Sequence, residues 1–241
     1  MAEPVDDRLH SLTGLEVGED ERPVGALAAG VALHHAQIGA HACLTTPSAT
    51  RVYRTASATR TRCTAGSLAP GAVVEWVPDH VIPSAGAALR QSLEVEAGAG
   101  ATLIAVDAFA AGRVACGEAW RFALLDSALT VRDAAGLVLH DRFVLRGGER
   151  WGGLGFAEAR PYFATVVVVA PAGLDDLVAG LPDALGAADG FTAAAARLPR
   201  RGVVIRVLAA GAPALTDGLG AIWRFARQRV LGLPPLALRK L

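Results

Sequence analysis

Gly71-Ala-Val-Val-Glu-Trp-Val-Pro-Asp-His-Val-Ile-Pro83 is the stretch on which the reading of this fold turns. A Gly-Ala opening leads into a short run of strand formers, and prolines close it. Along such a strand side chains alternate between faces, so Glu75 shares a face with Val73 and Val77. The same opening recurs before it at Gly39-Ala40 and after it at Gly100-Ala101. This crude repeat, with steps of 32 and 29 residues, falls in the range of roughly 20 to 50 residues that points to stacked coils. Outward from this stretch, Val31 to about Phe143 alternates short apolar runs with Gly, Pro or Ser breaks, the pattern of many short strands. The second half changes character. Tyr162 to Ala170 is a nearly continuous apolar strand, and Gly202 to Leu208 is another. Leu174 to Leu185 has helical spacing with Asp175 and Asp176 in its first turn, and Leu215 to Leu231 is a second helix that ends before Pro234-Pro235. The expected fold is therefore mainly β, with stacked short strands of β-helix or solenoid type and two C-terminal helices. Residues 1–30 read as a weakly structured lead-in, and 31–241 as a single domain.

Composition bounds the function. Hydrophobic residues make up 52% of the 241 and are joined by 27 glycines, which excludes disorder for the chain as a whole. Lys+Arg and Asp+Glu balance at 23 each, so no global positive field is available for phosphate neutralisation, and a nucleic-acid role is excluded. Met1 to Arg22 has neither the basic start nor the apolar stretch of a signal peptide. The longest apolar run, Pro161 to Leu174, falls short of the roughly 20 residues a membrane span needs and is broken by Pro171 and Gly173. Cys43, Cys63 and Cys116 are odd in number and widely spaced, as expected of reduced thiols in the cytoplasm.

Nucleotide-loop, zinc-hydrolase and serine-hydrolase signatures are missing. What stands out is a set of acids on apolar strand faces. Beside Glu75, Asp107 shares a face with Leu103, Ala105 and Phe109, and Glu118 shares one with Cys116, Trp120 and Phe122. A buried ionised carboxylate costs several kcal/mol unless paired. Either arginines such as Arg113 and Arg121 neutralise these acids, or the acids line a wet internal passage. His34, His35, His41 and Cys43 form the one His/Cys cluster, read either as the solvated face of an amphipathic strand or as metal ligands. Asp79-His80 lies between Pro78 and Pro83 and reads as a turn.

Leu44-Thr-Thr-Pro-Ser-Ala-Thr-Arg-Val-Tyr-Arg-Thr55, then Glu75 to Pro83 with Gly86-Ala87, Gly112-Arg113 and Gly117-Glu118, closely resemble the urease accessory protein D family, called UreD or UreH. The likeness continues more weakly through Arg132-Asp133, Gly136-Leu137 and Asp141-Arg142, and returns at Trp223. It covers roughly residues 37 to 235. The family normally carries a longer N-terminal β region, which residues 1–36 do not supply, and its Pro-Gln-Glu is Pro78-Asp79-His80 here. The resemblance implies a non-enzymatic cytoplasmic scaffold, mostly β, that helps insert nickel into apo-urease together with UreF and the GTPase UreG, and it leaves a dimer within that complex open. No cofactor would be bound permanently; nickel would be in transit through an internal tunnel.

On that reading Glu75, Asp107, Glu118 and Asp79 are the candidate metal contacts. With association at roughly 10⁷ M⁻¹s⁻¹, a nanomolar site holds an ion for about 100 s and a micromolar site for about 0.1 s, so transit favours weak carboxylate ligands over the His/Cys cluster. Trp223, Arg224 and Arg227 on the last helix, with Tyr53 and Arg54 on a strand, are the candidate contacts for UreF, because aromatic and arginine side chains are enriched at interfaces. Two other readings stay open. One is a β-helical carbohydrate-active enzyme using Asp107, Glu118 and Arg113, and the other is a metal-free structural β-solenoid that binds other proteins.

Overall fold

The computed structural model describes residues 30–54, 60–149, 151, 153, 156–186 and 189–236; the side chains of residues 30–34 and 60 fall outside this description, as does the lead-in up to residue 29. Thirteen strands are described: β1 (Gly30–Ala36), β2 (His41–Leu44), β3 (Thr50–Val52), β4 (Arg60–Leu68), β5 (Val73–Trp76), β6 (Val81–Pro83), β7 (Ala88–Ala97), β8 (Thr102–Ala110), β9 (Leu124–Asp133), β10 (Gly136–Arg146), β11 (Tyr162–Val169), β12 (Phe191–Arg197) and β13 (Gly202–Ala209). Helices α1 (Leu174–Leu185) and α2 (Ala212–Ala226) complete the fold, and α2 runs on into a π-helical turn, Arg227–Leu231.

The first nine strands alternate between two sheets. β1, β4, β7 and β9 lie side by side, all parallel, while β2 and β3, then β5 and β6, then β8 stack in the other sheet, again parallel. The register repeats the spacing of the Gly-Ala openings. Gly30 faces Arg62, the same step as from Gly39 to Gly71, and Arg60 faces Leu89, the same step as from Gly71 to Gly100. At Gly39, Gly71 and Gly100 the chain turns with φ of +68°, +71° and +68°, a left-handed conformation that glycine adopts without a Cβ penalty. The stacking is not uniform, however. β10 joins β9 antiparallel, and β11, β13 and β12 extend the larger sheet antiparallel from β8. The fold is mainly β with two C-terminal helices, as the sequence reads, but its two sheets are mixed and open rather than a closed β-helix.

Strand composition follows this layering. In β11 the run Val166–Val169 is fully buried, because the larger sheet is covered on both faces. One face meets the five-stranded sheet through two apolar clusters, around Leu103, Ala105 and Val167 and around Phe109, Phe122 and Leu125. The other face, with Ile104, Val106 and Ala108, packs under α1 and α2. α1 buries Leu174, Leu177 and Leu181, one stripe of a helical period. β12 has no counterpart in the sequence reading. Its alanines favour helix intrinsically, but Ala193 and Ala195 pack on the helix-side core while β12 pairs with the edge of β13. Tertiary contact overrides propensity there.

Candidate functional site

The three acids expected on apolar faces do not share one face. Glu75 pairs in register with Ile104, so it points to the helix side of the larger sheet. There it is completely buried. His41 Nε2 lies 2.6 Å from its Oε1, Trp223 Nε1 donates to Oε2 at 2.6 Å, and Arg227 forms a buried ion pair with Oε1. Burial pushes its pKa up, but the His41 hydrogen bond, the Arg227 charge and the remaining donors outweigh this and hold it below the ordinary value. Glu75 is thus an ionised acid with its bonding filled by the chain itself.

This corrects two expectations. Trp223 and Arg227 are only 5% and 4% exposed and face inward to Glu75, a buried carboxylate that would be costly without a counter-charge and donors. Arg227 also stacks over the Trp223 ring, with its central carbon 5.6 Å from the ring centroid, and its Nε donates to Pro234 O at 3.1 Å. Arg224 stays exposed on α2, and Tyr53 and Arg54 are exposed just after β3.

Glu118 is not on a strand. A 3-10 turn, Val114–Cys116, and a loop hold residues 112–121 between β8 and β9, since Gly117 turns left-handed at φ +69° and breaks the expected alternation. Arg113 binds both Glu118 oxygens, Nε at 2.8 Å, and Glu118 Oε2 also accepts the Ala85 N–H at 3.1 Å. The Arg113 hydrogen bond keeps the Glu118 carboxyl below its ordinary pKa. Asp79 lies in the loop between β5 and β6, where its N–H donates to Thr46 Oγ1 at 2.8 Å. The His/Cys cluster is divided as well: His35 lies on β1 in one sheet, while His41 and Cys43 sit on β2 in the other, because the chain turns between them at Gly39. The His34 side chain lies outside the described residues. Among the described residues, no group of three or more His, Cys, Asp or Glu side chains is placed to hold a metal ion.

Asp107 stands apart. It lies between the two sheets, where it accepts from Gln91 Nε2 at 2.8 Å and from Ser127 Oγ at 2.7 Å. Arg62, Gln91 and Ser127 form a register ladder across β4, β7 and β9, and Arg62 donates to Gln91 Oε1 at 3.0 Å. Facing it, Asp107, Thr165 and Arg206 are register neighbours across β8, β11 and β13. Arg206 Nη atoms reach both Asp141 oxygens, at 2.7 and 2.6 Å, and Thr165 Oγ1 at 2.6 Å. A polar layer thus crosses the molecule between the two apolar clusters. Burial raises the Asp107 pKa to about 6 against the pull of Ser127, Arg62 and Gln91. Asp107 keeps accessible surface of intermediate extent. The sequence reading does not single out Gln91, Ser127 and Arg206, and it meets Asp141 only in the weaker family likeness; the one available signal is a polar residue set in an apolar run, plainest for Arg206 in β13.

The comparisons with known proteins agree with one another. Residues 32–240 match the model of the UreD urease accessory protein family. The urease accessory protein UreD of Alkalilimnicola ehrlichii is 34% identical over 203 residues, covering 82% of this chain and 67% of that protein. That of Actinomyces naeslundii is 34% identical over 203 residues, covering 84% and 74%, and that of a Pseudomonas putida strain is 33% identical over 217 residues, covering 88% and 75%. With a family match across nearly all of the described fold and relatives at this identity, the chain belongs to the UreD urease accessory protein family.

Proposed function

We propose that this chain is a non-enzymatic scaffold of urease maturation, acting in the cytoplasm with UreF, UreG and apo-urease, and that nickel passes as cargo along the polar layer between its sheets. The observation that carries the path is Asp107, an acid between the sheets whose direct hydrogen bonds among the described residues come from the neutral donors Gln91 and Ser127 and which keeps accessible surface. Asp141 supplies a second carboxylate in the same layer, 18% exposed and held by Arg206. Two carboxylates with hydroxyl neighbours make a weak oxygen-donor route for a divalent ion, suited to transit rather than storage. Glu75 and Glu118 drop out of the path by position: Glu75 faces the helix side, filled by His41, Trp223 and Arg227, and Glu118 lies in the loop between β8 and β9, away from the polar layer.

The carbohydrate-active alternative loses its residues, since Arg113 and Glu118 pair in a surface loop while Asp107 is bound between the sheets. Among the described residues no helix is long and apolar enough to cross a membrane. The test of the path is an Asp107→Asn, Asp141→Asn double variant in a cell that expresses urease. Urease nickel content and activity should fall several-fold, while soluble yield and co-purification with UreF and UreG stay at wild-type levels. Full activation by this variant would remove the polar layer from the path.

A further inference from the structure

The structure draws the exposed aromatic and arginine side chains together at one end of the strand stack. β7 and β9 pair with a longer step, Ala88 facing Leu124, than β4 and β7, where Arg60 faces Leu89. The excess lies in residues 112–121. Nothing in the 3-10 turn of this excursion is buried, and the excursion's one core contact is Trp120, partly buried and stacked on Phe163 with ring centroids 6.1 Å apart. The excursion is nevertheless rigidly fixed. Arg113 clamps Glu118, Glu118 accepts Ala85 N–H, and Trp120 N–H donates to Ala111 O at 2.7 Å. A Cβ on Gly112 would collide with Glu118 O. Trp120 itself is held at φ +64°, a left-handed conformation that bulky residues rarely adopt, and such strain collects where a surface is preorganised for binding.

Around the excursion stand the exposed groups. Arg54 lies across Gly86, with its Cδ 3.1 Å from where a Cβ would be, and Gly86 N–H donates to Arg121 O at 2.8 Å. Tyr53 is 55% exposed and within electrostatic reach of Arg113. On the other side Trp120 packs against Phe156, itself 40% exposed, with ring centroids 6.3 Å apart. The excursion and the Arg54–Gly86 contact bring three arginines together against one glutamate, and that glutamate is already engaged by Arg113. Arg54 and Arg121 have no acid bonded to them among the described residues.

We infer that this end, formed by Tyr53, Arg54, Arg121, Trp120 and Phe156, is a docking surface for a protein segment that carries acidic side chains around an apolar anchor. Exposed guanidinium groups beside aromatic rings supply paired hydrogen bonds to carboxylates together with rigid apolar contact, and a preformed loop lowers the ordering cost of binding. The inference rests on the maturation reading for its partner, and the probe is purified UreF. Immobilised UreF titrated with the full chain should bind the wild type and lose affinity at least tenfold for Arg54→Glu, Arg121→Glu and several-fold for Tyr53→Ala, with melting temperatures unchanged. Affinity should also fall as salt rises from about 50 to about 300 mM. Arg224→Glu on α2 serves as the control and should bind within twofold of wild type. Unchanged affinity for the double reversal, salt-independent binding, or an equal loss in the α2 control would overturn the surface while leaving the maturation reading in place. Failure of the wild type to bind UreF would overturn that reading, and this inference with it.

Discussion

Glu75 and Asp107 are both acids on strands of the larger sheet, and their environments give them opposite behaviour. Glu75 meets a guanidinium, an indole N–H and an imidazole, and stays ionised below its ordinary pKa. Asp107 meets an amide and a hydroxyl, and burial lifts its pKa to about 6. The stability consequence of that lift has a definite sign. Unfolded, Asp107 ionises near 3.8; folded, near 6. Between these values the folded form keeps a proton the unfolded form has lost, so stability falls as pH rises through the window, by about 3 kcal/mol in all. Asp107→Asn should therefore raise the melting temperature at pH 7, by about 5 °C or more, and leave it unchanged near pH 3.5. A thermal scan at both values checks this. A variant that melts lower than wild type at pH 7 would show that the ionised carboxylate is stabilising after all. Together with reduced urease activation, the expected gain would mark Asp107 as a residue whose presence costs stability, the pattern of functional groups.

Helix α2 depends on a residue far away in sequence. Trp223 and Arg227, one turn apart, reach back 148 and 152 residues to Glu75, and the π-helical turn that follows α2 brings Arg227 Nε onto Pro234 O. Glu75 therefore fastens the last helix and the segment after it to β5. Packing of Leu215, Ile222 and Ala226 under the helix supplies the apolar part of the same contact. Glu75→Gln keeps the shape and removes the charge, which leaves Arg227 buried without a counter-ion. Breaking a buried pair in this way costs about 3–5 kcal/mol. The urea midpoint of Glu75→Gln should fall accordingly, and adding Arg227→Gln should cost much less than the two single effects summed. Additive losses in that double-mutant cycle would mean that the ion pair does not hold the helix. Any loss of urease activation in a Glu75 variant then has a structural origin, distinct from that of Asp107.

At the scale of the whole molecule, the larger sheet is the shared wall of both cores. Leu103, Ala105 and Val167 belong to the inter-sheet side, while Ile104, Val106 and Val166 on the same two strands belong to the helix side. Neither layer can lose its packing without stripping one face of β8 and β11. Unfolding should accordingly be a single cooperative transition. The tryptophans report on both sides, Trp223 in the helix layer and Trp76 and Trp120 against the two inter-sheet clusters. Their fluorescence and the far-UV circular dichroism should change at the same urea concentration. Separate midpoints would show that the helix layer melts independently of the sheet pair.

Local features of the sequence determined much of this protein. The spacing of the Gly-Ala openings reappears as the coil step, because glycine alone turns left-handed at Gly39, Gly71 and Gly100 without strain. Periodicity placed α1, α2, β11 and β13, and the motifs from Leu44 to Glu118 placed the chain in its family. Alternation also identified Glu75 and Asp107 as acids on apolar strand faces, since a period of two is a property of any strand. What alternation does not contain is which side of a sheet a face will meet. That was decided only when α1 and α2 packed on one side of the larger sheet and the five-stranded sheet on the other, sending Glu75 to Arg227 and Asp107 to Gln91 and Ser127. Those partners lie 16 to 152 residues away in sequence. The fate of a buried charge is set by the groups brought within about 3 Å of it, and only tertiary contact brings them there.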